Sequence, residues 1–189
     1  MGFFLYFCNQ NYKKMTKFIL LTLFFFSTAS AQSYIIGDSQ TFFLSKNTQY
    51  ANIYPNLAKS GIGLTELNEM LDNILPDTSV QNIFISIGVN DSYNDKGIKN
   101  FTRNLYSKFP NAYFFIIKGS FGWGNVPNIS SSNLKFINYY KTFSHNGVFP
   151  INGNIGNGDP HSQKIQYQIL GKKIDCIILK SYGEKCTYK

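Results

Sequence analysis

The chain has 189 residues, 43% of them hydrophobic, with 18 basic and 10 acidic side chains for a formal net charge of +8. That length and composition fit one ordinary domain with a sizeable core. With a single arginine, Arg103, and no basic cluster beyond Lys172-Lys173 once the first 31 residues are set aside, the charge is too scattered for a nucleic-acid binder. The mild excess suits anionic envelope polymers or is ordinary solubility charge.

The first segment reads as a leader. Met15-Thr16-Lys17 precedes the apolar run Phe18–Phe26, and Ser27-Thr28-Ala29-Ser30-Ala31 closes it with small residues. A basic start, a short apolar run and a small-x-small ending make a secretory signal peptide over residues 1–31, with cleavage expected after Ala31. The run is too short for a comfortable membrane span, an uncleaved anchor being the alternative, and no stable membrane insertion is expected once it is removed. Met15 alone would begin a well-proportioned signal, which leaves residues 1–14 as an upstream extension or a lengthened n-region. Residues 32–189 then form the domain, and the expected location is secreted or periplasmic. Of its cysteines, Cys176 and Cys186 remain. They form either a disulfide tying the C-terminal tail to the last helix or two free thiols.

Along the domain, strand-like runs alternate with helical ones. Tyr34-Ile35-Ile36 forms a short buried strand that runs into the turn-forming Gly37-Asp38-Ser39. Asn52–Ala58 is a second, weaker strand, which Pro55 confines to an edge or an irregular position. Leu64, Leu67, Leu71 and Ile74 recur at helical spacing. Asn82–Gly88 is the clearest buried strand; a helix through Ile98, Phe101, Leu105 and Phe109 follows and ends at Pro110. Ala112–Ile117 is a further strand. Beyond the loop Gly119–Asn128, which holds Trp123, the pattern predicts a helix around Ser132–Phe143, a short strand at Val148–Ile151 and a last helix over Gln163–Ile178. Such alternation predicts a three-layer αβα sandwich with a mostly parallel, flavodoxin-like sheet of about five strands. Ligands in such folds sit beyond the carboxyl ends of the strands. Ser39, Gly88-Val89-Asn90-Asp91, Trp123 and the Asn152–His161 loop all follow strands and so share one rim.

Four blocks in order, Gly37-Asp38-Ser39, Ser60-Gly61, Gly88-Val89-Asn90-Asp91 and Asp159-Pro160-His161, resemble those of the SGNH (GDSL-like) hydrolase family. The continuation His161-Ser162-Gln163-Lys164 with Tyr167, Leu170-Gly171 and Ile174 resembles the helix after the family's histidine. The resemblance spans nearly the whole domain. It implies a serine esterase without metal or cofactor, acting on a small-molecule or polysaccharide ester.

The chemistry assigns the parts. A serine hydroxyl is a weak nucleophile and needs a neighbouring base near neutral pKa. Of the two histidines, His145 lies in a turn-like segment without an acidic neighbour, whereas His161 has an acid two residues away; His161 is the expected base. Cleavage builds negative charge on the carbonyl oxygen, which preorganised donors stabilise. The resemblance implies three donors: the backbone N–H of Ser39, the backbone N–H of Gly61 and the side-chain amide of Asn90. Gly63 is a rival to Gly61. Asp38 and Asp91 support their loops. The family pattern commonly places the acid three residues before the histidine, where this chain has Gly158; Asp159, at two, is the nearest carboxylate. It either completes a triad by orienting the imidazole or leaves a Ser39–His161 dyad held by a backbone carbonyl. Trp123 either lines the substrate cleft or anchors its own loop. Export favours O-acetyl esters of a carbohydrate or envelope polymer. A lipid acylhydrolase or thioesterase, an acyltransferase, and a catalytically inactive domain that binds glycan or protein are the alternatives.

Overall fold

The computed structural model describes residues 32–87, 90, 95–118, 134–138 and 164–187. In chain order its elements are β1 (Gln32–Gly37), α1 (Ser39–Ser45), β2 (Asn52–Ala58), α2 (Leu64–Asp72), β3 (Val80–Ser86), α3 (Asp95–Lys108), β4 (Tyr113–Lys118), β5 (Leu134–Asn138) and α4 (Lys164–Ser181). All five strands are parallel, in the order β2-β1-β3-β4-β5. This is the expected flavodoxin-like order, and it reverses direction between β1 and β3.

The apolar runs of β1, β3 and β4 are continuous rather than alternating because both faces of these strands are covered. Successive side chains go to opposite cores. Ile36, Ile83, Ile85, Phe114 and Ile116 join Leu67 and Leu71 of α2 and Phe101 and Leu105 of α3 on one face. On the other, Ile35, Phe84, Phe115 and Ile117 join Leu44 of α1 and Tyr167, Leu170, Ile174 and Ile178 of α4. Within that second core the rings of Phe84 and Phe115 stack at 4.9 Å, so Phe84 both fills volume and spans two strands. Three layers result.

Strand β2 is the edge strand that Pro55 predicted. Its register against β1 slips between Ile35 and Gly37, and Asn56 takes a positive φ of 60° there. An Asn tolerates that conformation better than most residues. One element is unsignalled by the sequence and one expectation needs correction. The segment after Ser39 is a short helix, α1, which periodicity did not signal. Residues expected to lie in a helix around Ser132–Phe143 include Leu134–Asn138, which pair with β4 from Phe114↔Leu134 to Lys118↔Asn138 as β5. Backbone pairing with an open sheet edge there prevails over a spacing compatible with either structure. The strand expected at Val148–Ile151 lies outside the described residues. Cys176 and Cys186 are bonded, their Cα atoms 5.1 Å apart, which pins the tail to α4. Among the described residues no helix is long and apolar enough to cross a membrane.

Candidate active site

The turn that carries Ser39 is built from three successive constraints. Gly37 has a φ of +135°, and a Cβ there would stand 1.9 Å from the Ser86 carbonyl oxygen, so only glycine fits. Its own carbonyl accepts the Lys59 N–H at 3.1 Å, while the Asp38 N–H donates to the Ser86 carbonyl at 2.9 Å. The end of β1 is thereby tied to the chain leaving β2 and to the end of β3. Asp38, fully buried and extended (φ −87°, ψ −159°), caps α1: its carboxylate accepts the Gln40 N–H at 2.9 Å. A cap of this kind contributes about 1 kcal/mol. Ser39 is the next residue, half-buried, at the first position of α1.

The second segment follows β2. Gly61 is exposed with a φ of +80°, and the space where its Cβ would lie is open. Gly63 instead caps α2 with a φ of −102°. The two glycines therefore differ in kind, and Gly61 is the one with the left-handed backbone and open surroundings. Between them Ile62 is buried. The Lys59 ammonium and Glu66 carboxylate meet across this turn at 2.5 Å, both well exposed, a pair of small energetic weight.

The third segment follows β3. Asn90 is exposed, and its side-chain Nδ2 donates to the Ile62 carbonyl at 2.9 Å. Since β2, β1 and β3 are neighbours, Ser39, Gly61 and Asn90 lie beyond adjacent carboxyl ends, at the point where strand order reverses. The Asn90–Ile62 bond joins two of these segments directly, and no feature of the sequence marks it. Only its companions, two glycines around an apolar residue before an amphipathic helix, could have pointed to a fixed turn. A second contact outside sequence reasoning is the stack of Phe43 on Tyr167 at 5.2 Å, which joins α1 to α4.

His161, Asp159 and Trp123 lie outside the described residues, as do His145, Gly158 and Asp91. The described chain resumes with α4 at Lys164, three residues beyond His161. Among the described residues the shifted titrating groups belong elsewhere. Burial, then the Asp77 charge, raises Tyr34; the same causes and a hydrogen bond to Asp77 push Tyr54 up to about 12. Asp77 is lowered, chiefly by the Ser79 hydroxyl. Asp77 precedes β3, so this cluster sits at the amino end of the sheet, opposite Ser39.

No family model matches the chain, and none of the curated proteins does. Among solved structures it is similar to a Streptococcus pneumoniae protein described as a platelet activating factor, at 18% identity and a TM-score of 0.55, over 83% of this chain and 86% of that one. It is also similar, at 21% identity and a TM-score of 0.35, to the C-terminal catalytic domain of peptidoglycan O-acetyltransferase A of the same organism, solved with a methylsulfonyl adduct; this second likeness covers 47% of the present chain and 50% of that domain, too little to build on. The first likeness is one of fold: the chain has the layered α/β architecture of that streptococcal protein.

Proposed function

We propose that the chain is an exported serine esterase of SGNH type, hydrolysing acyl esters, with O-acetyl groups on a carbohydrate or envelope polymer as the favoured substrate. The observation that carries this reading is the convergence of Ser39, Gly61 and Asn90 on adjacent strand ends at the switch point, two of the three segments being hydrogen-bonded together. In this reading Ser39 Oγ attacks the ester carbonyl carbon while His161 takes its proton. The oxyanion is received by the Ser39 and Gly61 N–H groups and the Asn90 amide. His161 returns the proton to the departing alcohol, leaving an acyl group on Ser39. Water, deprotonated by the same imidazole, then releases the acid. Asp159 is assigned the orienting role. Support for export comes from the leader over residues 1–31, followed directly by β1 at Gln32.

The test is hydrolysis of p-nitrophenyl acetate and longer-chain esters by the protein and its Ser39→Ala variant. Short-chain turnover that vanishes in the variant is the expected result, and long-chain preference would move the assignment to a lipid acylhydrolase. Turnover undiminished by Ser39→Ala overturns the assignment, and absent turnover together with glycan binding replaces it with a non-enzymatic domain. Activity should also fall as His161 protonates, below about pH 6 to 7 for an ordinary histidine, and a flat profile there would remove that base.

A further inference from the structure

The turn between β2 and α2 is exposed at Ser60 and Gly61, yet Ile62, the residue between the glycines, is 1% exposed. Its side chain belongs to the core cluster that holds Leu57 of β2, Leu64 and Leu67 of α2, and Ile87 just beyond β3. Its carbonyl is the acceptor for Asn90 Nδ2 at 2.9 Å. One residue thus has its side chain fixed by packing and its backbone oxygen engaged by an exposed amide. An asparagine amide turns on a broad terminal torsion, so by itself it would aim its donors loosely. Nδ2 carries two N–H bonds in a rigid plane. Committing one of them to a fixed acceptor sets the direction of the other.

We infer that Ile62 is a positioning residue: its buried side chain holds the carbonyl that orients the Asn90 amide, so the amide's second N–H is aimed before substrate arrives. The inference rests on the esterase reading and deepens it. An oxyanion donor is effective in proportion to its preorganisation, and a donor displaced by about 1 Å loses much of its effect. The same bond couples Asn90 to the Gly61 turn, so the two expected donors are held as one unit.

The test is a double-mutant cycle on p-nitrophenyl acetate with Ile62→Ala, Asn90→Ala and the pair. Asn90→Ala should lower kcat roughly a hundredfold, the loss expected for one oxyanion donor. Ile62→Ala should lower kcat roughly tenfold with KM unchanged, and the double variant should fall no further than Asn90→Ala alone. Met70→Ala, which trims a side chain packed against the same cluster, should leave kcat unchanged and serves as the stability control. Losses that multiply in the double variant overturn the inference. Should Ile62→Ala not fold, Ile62→Val runs the same cycle with a smaller first step. Amide exchange by NMR keeps the two readings separable. One of the Asn90 side-chain protons should exchange slowly and the other fast, and the slow one should quicken in Ile62→Val. A protein that hydrolyses no ester ends the esterase reading, while equal exchange of the two protons in the unaltered protein ends this one.

Discussion

Gly37 is the residue on which the expected nucleophile depends without touching chemistry. Its φ of +135° and the 1.9 Å clash of any Cβ with the Ser86 carbonyl act together. An alanine there must either strain its own backbone or push β3 away, and Asp38 loses its bond to Ser86 in the second case. Gly37→Ala should therefore destabilise by on the order of 3 kcal/mol or more, read from the urea midpoint. Tyr54 makes a different kind of prediction. Its hydroxyl donates to Asp77 at 3.2 Å, and burial followed by the Asp77 charge raises its pKa to about 12. A phenol whose folded pKa exceeds its ordinary value of about 10 stabilises the fold fully below pH 10 and loses that contribution as pH rises towards 12. Asp77 runs the other way. Lowered first by the Ser79 hydroxyl, it contributes above the usual carboxylate range and loses that contribution as pH falls through its depressed pKa. In urea titrations at several pH values, the advantage of the unaltered protein over Tyr54→Phe should be constant from pH 7 to about 10 and shrink towards pH 12. An advantage unchanged across that alkaline range would show that the phenol is not held neutral.

At the scale of elements, α4 is fastened by more than its apolar stripe. Asp175, only 2% exposed, accepts the Gln49 N–H at 3.0 and 3.1 Å and the Tyr50 N–H at 3.2 Å. The carboxylate thus closes the connection between α1 and β2 onto α4. Asp175→Ala strands two backbone donors in a half-buried place and should cost roughly 3 kcal/mol, measured by thermal or urea unfolding; a change below 1 kcal/mol would mean that water reaches those amides. The sequence showed α2, α3 and α4 because Leu64-Leu67-Leu71, Ile98-Phe101-Leu105 and Leu170-Ile174-Ile178 repeat at helical spacing, and all nine are buried. It hid α1 because seven residues rich in Phe, Ser and Thr have little intrinsic helicity and two turns offer no period to read. What makes that helix is the Asp38 cap and the burial of Leu44 and Thr41, one a side-chain geometry and the other a tertiary fact. The segment Leu134–Asn138 departs from its expected helix for a related reason. Five residues with apolar positions 134, 136 and 137 satisfy a helix or a strand equally, and only the free edge of β4 decides. Of the expected site, the rim positions of Ser39, Gly61 and Asn90 were legible because each follows a strand. The bond from Asn90 to Ile62 was not, because loop closure leaves no periodic trace.

For the whole molecule, strand order decides which ends of the chain are indispensable. β1 lies between β2 and β3, so it supplies pairing on both sides and side chains to both cores: Ile36 to one and Ile35 to the other. Its pairing begins at its first residue, Gln32 against Val80. The same residue stands immediately after the expected cleavage point, so removal of 1–31 would leave every β1 pair in place. A chain beginning at Gln32 should unfold in one cooperative step with the midpoint of the longer chain, and the proposed export should leave Gln32 at the amino terminus, read by mass spectrometry. A chain beginning at Ile36 should not fold. It would lose the pairs of Tyr34 and Ile35 on both flanks, and with Ile35 a fully buried side chain of the second core. The comparison separates a proposed leader, expected to be dispensable, from a strand that is not: equal stability of both truncations would show that β1 does not organise the sheet, and loss of folding in both would mean that the domain begins upstream of Gln32.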